Sequence, residues 1–448
     1  MTNLSDSHRL KAALDQAVKQ GIFPGGVLLV ARGNEPICFM VVGRHTYDST
    51  AGSVKPWTIY DLASLSKILS TTLLTMIFVD QGRLSLNQPL DALWREGIPT
   101  DKKDLTLAHL LSHTSGWPAW KPYYRSLEKL PESERRDAIA RIILQEPLLA
   151  PPGTGIIYSD LNFIFLGLLL ERLGGERQDV LFDRLVAKPL DLIDIGYRPL
   201  DHFQPCLRDL APTETGTRRS GPPGDPTGET RPGVKPGQVH DDNAAALSGV
   251  AGHAGLFGSA PAIWRVFQSM RRAYVEGSGV GDGKDQSGQG FEKPVDQIPR
   301  AMGTSSLKAF TRMAETGNSP PGINLGPRTG PDLDRDHLQS ITENRPSISL
   351  VSTRTVRAFW QSAPWPTDWP RAYGFDHPGP DGGSAGKYFS PRSVGHTGFT
   401  GTSLWYDPDR DLAVIFLTNR VHPSAANLKI REFRPFLHGL IVEELILK

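Results

Sequence analysis

A chain of 448 residues with 39% hydrophobic and 22% charged content is long enough to bury a large core without covalent staples. Its 49 Lys plus Arg and 48 Asp plus Glu leave a net charge of +1, which excludes the strong field needed to attract nucleic acid or an anionic membrane surface. The two cysteines, Cys38 and Cys206, are too far apart and too few for a metal cluster or a disulfide framework.

The first residues carry neither the basic start nor the apolar stretch of a secretory leader, so a cytoplasmic location is expected. No uninterrupted apolar run reaches the length of a membrane span, which argues against a membrane role. Leu10, Leu14, Ala17 and Val18 fall at helical spacing and predict an amphipathic helix over residues 8–20. Two strands follow, residues 26–32 and 37–43, joined by the turn Gly33-Asn34-Glu35-Pro36.

From Ser64 the pattern predicts a helix of about five turns ending near Gly82, apolar on most sides and therefore central. Helices over 106–113, 133–144 and 161–174 are separated by Pro- and Gly-containing turns. Residues 212–238 and 276–293 are rich in Pro, Gly, Ser and charge, bury little, and read as exposed loops, one of which borders the site. Alternation returns at 394–398, 402–406 and 412–417, giving three antiparallel strands, and residues 425–447 predict a closing helix. Both chain ends thus build one sheet, with helical material between them.

A serine opening a helix with a lysine three residues later places hydroxyl and amine one turn apart on one face, close enough for a proton to pass. Ser64-Leu65-Ser66-Lys67 has this form, but so do the segments starting at Ser126, Ser305 and Ser384. Ser64 stands apart because it precedes an apolar helix, and desolvation favours the neutral amine that can act as a base. Tyr158-Ser159-Asp160 follows the turn Pro151-Pro152-Gly153-Thr154-Gly155. A tyrosine beside Lys67 is expected to have its pKa lowered by that charge and to serve as general base. Gly395-His396-Thr397-Gly398-Phe399-Thr400-Gly401 reads as a glycine-rich edge strand that lets an acyl substrate approach backbone N–H groups.

The order S-x-x-K, tyrosine motif, then a near K-T-G strand resembles the β-lactamases and penicillin-binding proteins. With Tyr158 in the middle position, the resemblance is to the branch of class C β-lactamases, DD-peptidases and esterases. It also takes in residues 107–116, 152–162, 240–257 and 395–419. It implies an α/β (α+β) β-lactamase/transpeptidase-like fold: an antiparallel sheet flanked by terminal helices, plus a mostly helical subdomain. One catalytic domain over 1–448 is expected, with its α/β part at about 1–75 and 350–448 and the helical subdomain at about 76–349.

The resemblance also implies that Ser64 attacks a carbonyl, that Lys67 and Tyr158 move protons, and that the N–H groups of Ser64 and Phe399 form the oxyanion hole. Asp160, His396, Thr397 and Gly398 would contact a small-molecule acyl substrate, water would release the acyl-enzyme, and neither metal nor organic cofactor is required. Two positions depart from the β-lactamase pattern: His396 where lysine is usual, and Asp160 where asparagine is usual. A histidine only partly charged at neutral pH grips a substrate carboxylate less firmly than lysine. Asp160 is expected to pair with Lys67 and raise its pKa, shifting base work to Tyr158.

His109 and His113 are four apart on a helix, but Leu110 stands where a zinc hydrolase motif needs glutamate, so hydrogen bonding within the fold is expected. His240 and His253 read either as cleft-lining or as loop-stabilising. The leading expectation is an esterase-like serine hydrolase. A DD-carboxypeptidase, D-aminopeptidase or weak β-lactamase is the alternative enzyme, and an inactive relative that binds a peptide or cell-wall fragment is the non-enzyme alternative. Oligomeric state is left open.

Overall fold

The alternating run near the N-terminus forms β1 (Gly25–Arg32) and β2 (Glu35–Gly43). The three strands near the C-terminus are β8 (Val394–Thr397), β9 (Ser403–Asp407) and β10 (Leu412–Thr418). They join in one antiparallel sheet of order β2-β1-β10-β9-β8, with β1 and β10 in register from Gly26 opposite Thr418 to Arg32 opposite Leu412. The computed structural model describes residues 8–94, 97–203, 209–220, 228–276, 348–364 and 371–447.

Period-2 alternation sends neighbouring side chains of β1 to opposite faces, and two cores form accordingly. Leu28 and Val30 of β1 and Val414 and Phe416 of β10 pack with Leu10 and Leu14 of α1 (His8–Lys19) and with Leu437 and Ile441 of a C-terminal helix, Ile430–Leu445. Val27, Leu29, Ile415 and Leu417 face the other way, into the larger core shared with the helical half.

The helix after Ser64 is not uniform. Residues Lys67–Thr72 form a π-helical segment that runs into α2 (Leu73–Asp80), and Gly82, with φ +68°, ends it. The expectation of a plain five-turn α-helix is corrected here. Beneath the segment, Gln178 Nε2 donates to Ser70 Oγ at 3.1 Å and Thr71 Oγ1 at 2.8 Å, and Thr71 Oγ1 donates to the Gly252 carbonyl at 2.6 Å. Such widened turns arise where side chains and tertiary partners compete for the helix ladder.

Around it pack α3 (Leu107–Leu111), α4 (Glu132–Gln145), α5 (Asp160–Gly174), α6 (Ala260–Glu276) and α7 (Thr353–Trp360); the C-terminal helix completes the series as α8. Short strands also occur in the middle of the chain. β3 (Tyr60–Asp61), β7 (Leu256–Gly258) and β4 (Ile195–Tyr197) form a three-stranded sheet, and β5 (Thr217–Arg219) pairs with β6 (Thr230–Pro232).

The described residues of the segment 212–238, 212–220 and 228–238, are therefore not simply an exposed loop. Thr213, Glu214, Arg218 and Ser220 are buried, because Arg218 pairs with Asp242 and Glu214 with His240. The loop expected at 276–293, except Glu276, lies outside the described residues, as do Cys206 and the Ser305 motif. Among the described residues no helix is long and apolar enough to cross a membrane, and no group of His, Cys, Asp or Glu is placed to hold a metal.

Candidate active site

Ser64 sits on a tight turn between β3 and the π-helical segment. Ala63 before it takes φ +47°, a left-handed conformation unfavourable for a residue with a Cβ, and the Asp61 carboxylate holds it by accepting the Ala63 N–H at 2.9 Å. Lys67, one turn on, is fully buried. Its ammonium has three donors and finds three acceptors: Ser64 Oγ at 2.9 Å, the His253 carbonyl at 3.2 Å and the Asp160 carboxylate at 2.8 Å. Burial by itself would lower the lysine pKa. Asp160 and Tyr158 outweigh it, and the net direction is up, so the resting group is an ammonium.

Tyr158 reaches this pair because residues 157–160 are fastened to 113–119. Ile157 N–H donates to the His113 carbonyl at 3.0 Å, Ser159 N–H to His113 Nδ1 at 2.9 Å, and Asp160 N–H to the Ala119 carbonyl at 2.8 Å. The Lys67 ammonium lies 5.1 Å from the Tyr158 ring centre, so amine and phenol interact, while 37% of the residue stays exposed. Its pKa is raised rather than lowered, which corrects the sequence expectation: desolvation of the phenolate outweighs the opposing charge of Lys67.

The third segment is the edge strand β8 with the turn that follows. His396 is buried, and burial lowers its pKa to about 4 despite the raising effect of Asp376, so it is neutral at neutral pH. Its Nδ1 is bonded to the Thr397 carbonyl at 2.8 Å, which fixes the proton there and leaves the buried Nε2 as an unpartnered acceptor. The expected partly charged donor is thus a neutral ring whose donor is already engaged.

Gly398 lies so close to the nucleophile segment that a Cβ would collide with Thr402 Oγ1 and the Leu62 carbonyl. Thr400 Oγ1 donates to the Asp61 carbonyl at 2.6 Å and Thr402 Oγ1 to the Leu62 carbonyl at 3.1 Å. These bonds clamp the turn after β8 onto the residues just before Ser64. Among the described residues neither the Ser64 nor the Phe399 N–H has a partner inside the fold, so both remain available to an oxyanion.

The structure therefore gathers Ser64, Lys67, Tyr158, Asp160, His396 and the Thr397-Gly398-Phe399 turn at one place. Sequence reasoning missed three neighbours. His113, neutral and at φ +59°, lies 4.6 Å from the Tyr158 ring centre. Arg371 lies 5.4 Å over the Tyr158 ring and is ion-paired with Asp376, whose backbone bridges to Gly395. Asp61 ties nucleophile turn and edge strand together. For His113 the sequence predicts hydrogen bonding within the fold, which the Ser159 N–H bond to its Nδ1 bears out, but not its place beside Tyr158; Arg371 carries no motif.

The family model described as Beta-lactamase matches residues 10–434. The chain is 26% identical over 443 residues to an Escherichia coli O157:H7 protein named D-alanyl-D-alanine carboxypeptidase, covering 95% of this chain and 85% of that one. Among solved structures, EstCE1, a hydrolase with promiscuous acyltransferase activity, superposes with a TM-score of 0.60 at 19% identity, covering 97% of this chain and 100% of the other. A penicillin-binding protein homologue from Caulobacter crescentus does so with a TM-score of 0.63 at 15% identity, covering 98% of each. With the family match running almost end to end over this fold and this serine–lysine–tyrosine cluster, the chain belongs to the beta-lactamase family of serine hydrolases.

Proposed function

We propose that the protein hydrolyses small uncharged acyl esters through an acyl-enzyme on Ser64. The observation that carries the reading is the triple placement of the Lys67 ammonium on Ser64 Oγ, Asp160 and the His253 carbonyl, with the Tyr158 ring centre 5.1 Å from that ammonium. With Lys67 charged and Tyr158 neutral at rest, loss of the phenol proton supplies the base, and Lys67 stabilises the phenolate.

Ser64 Oγ then bonds to the ester carbon as its proton moves to Tyr158. The oxyanion is held by the Ser64 and Phe399 N–H groups, and Tyr158 passes the proton to the departing alkoxide. Water later cleaves the acyl–Oγ bond. Preference for uncharged acyl groups follows from the β8 side, where His396 is neutral and Arg371 is held by Asp376, so neither offers a free cation to a substrate carboxylate.

A second reading, release of a C-terminal D-amino acid, is favoured by the name of the Escherichia coli relative and requires Arg371 to exchange Asp376 for the substrate. Parallel assays of p-nitrophenyl esters, a D-Ala-D-Ala peptide and nitrocefin decide between them. Ester turnover is expected to dominate, and Ser64→Ala should abolish both turnover and fluorophosphonate labelling. Faster peptide cleavage than ester cleavage would overturn the esterase reading, and undiminished labelling of Ser64→Ala would overturn the nucleophile.

A further inference from the structure

Two histidines near the site pair with carboxylates, and they differ in what their second ring nitrogen faces. His253 Nε2 lies 2.8 Å from Asp241, and its Nδ1 is buried without a partner; the ring is enclosed and its carbonyl serves Lys67. His240 Nε2 lies 2.8 Å from the buried carboxylate of Glu214, whose other oxygen accepts the Ala425 N–H at 2.6 Å. Burial favours protonation of Glu214, but His240 and that N–H outweigh it and keep the carboxylate ionised. An ionised carboxylate only accepts, so Nε2 carries a proton and the ring is oriented.

Among the described residues His240 Nδ1 has no hydrogen-bond partner, and the atom keeps some exposure to solvent. Its location is equally specific. The backbone N–H of His240 donates to Asp61 Oδ2 at 2.7 Å, the same carboxylate that holds Ala63 beside the nucleophile. Its ring stacks on that of Phe399, centroids 5.5 Å apart, whose N–H is one of the two free donors. A carboxylate-oriented imidazole with an open nitrogen beside the oxyanion donors has the construction of a general base, and the Ser64–Lys67–Tyr158 cluster does not use it.

We infer that His240, oriented by Glu214, is the general base that activates the water resolving the acyl-enzyme, an inference resting on the acyl-enzyme reading above. In this step the water oxygen bonds to the acyl carbon while His240 Nδ1 takes its proton. Collapse of the tetrahedral adduct breaks the carbon–Oγ bond, Lys67 at 2.9 Å protonates the departing Ser64 Oγ, and the imidazolium returns a proton to Lys67 through solvent. The free acid leaves, and no other reactant is needed. Acylation belongs to the lysine–tyrosine cluster and deacylation to the histidine–glutamate pair.

Rapid mixing with p-nitrophenyl butyrate separates the steps, the first turnover reporting acylation and the later turnovers deacylation. For His240→Ala the first turnover is expected to stay within about threefold of wild type, while the steady rate falls about 100-fold, the scale of a lost general base. Mass spectrometry should then show butyryl-Ser64 accumulating, and added imidazole should restore part of the steady rate. Glu214→Gln, which keeps the ring in place but not its charge partner, should lose about tenfold on the same step.

Equal loss in both phases without imidazole rescue would mean that His240 only props the oxyanion donors, and the inference fails; so does an unchanged steady rate. His240→Gln, compared by thermal melting, separates either result from misfolding. If wild-type Ser64 forms no adduct at all, the acyl-enzyme reading itself falls and takes this one with it.

Discussion

The chemistry turns on which charge Lys67 carries, and of the two neighbours that decide it Asp160 has the larger effect. Burial pushes its proton off; the Asp160 carboxylate at 2.8 Å pulls it back and wins. In Asp160→Asn the largest raising partner is gone, so the lysine pKa should fall and the amine should become a base at lower pH. The alkaline limb of kcat/KM, expected to rise only above the ordinary tyrosine value of 10.0 in wild type because the Tyr158 pKa is raised, should move to the acid side in the variant. A limb that stays in place, read from pH profiles of ester hydrolysis, would show that Asp160 does not control the base. Ser64, Lys67, Tyr158 and their order were legible in the sequence because each belongs to a short local pattern. The direction of the Tyr158 shift was not, since Lys67 is visible in the sequence and the burial that overrides it is a property of the packed state. His113 and Arg371 were hidden for the same reason: what makes each relevant is a ring contact between residues far apart in the chain.

Strands and helices were read to within a few residues wherever periodicity was strong, as in β1, β10 and α5, and misread where distant polar groups decide the backbone. The π-helical segment is the clearest instance, for its apolar sequence predicts an ordinary helix and only Gln178 and Gly252, more than a hundred residues away, show otherwise. The segment 212–238 looks exposed by composition, yet the Arg218–Asp242 ion pair and the hydrogen bond between Glu214 and His240 bury part of it. The turn after β8 was legible as a strand end but not as a clamp. Thr400→Val keeps the shape and removes the bond to the Asp61 carbonyl, so the Ser64 and Phe399 donors should lose their fixed spacing. A loss in kcat of about 10- to 100-fold with KM nearly unchanged is expected, since a small misplacement of a positioned group has this effect. The stability cost should be about 1 kcal/mol by denaturant unfolding, the worth of one hydrogen bond. A rise in KM at constant kcat would contradict the clamp.

For the whole molecule, the buried neutral histidines couple fold stability to pH. His396 and His438 are lowered to about 4 and about 3, and His113 well below its usual value, each first by burial. Their folded pKa values lie below the unfolded value, so as pH falls from about 6.5 the unfolded chain binds protons that the native state refuses, and stability drops. At pH 5 this amounts to about 2 kcal/mol each for His396 and His438, and His113 acts in the same sense. Asp61, Asp194 and Glu171, raised by burial, act in the opposite sense, the native state gaining on the unfolded one as pH falls through their raised pKa values. Urea midpoints should therefore fall between pH 7 and pH 5, and His438→Gln should shallow the slope; equal midpoints would contradict this account. The pairing of β1 with β10 has a consequence for biosynthesis. A strand made among the first 32 residues waits for a partner that begins at Leu412, so the sheet cannot close while the ribosome is still translating the middle of the chain. The nucleophile, its lysine and its tyrosine are synthesised early, but the segment bearing the second oxyanion donor emerges last. A nascent chain is on this account chemically silent until the strands from residue 394 to 418 have emerged, and any fragment ending before residue 394 should be inert towards esters however well its helices form.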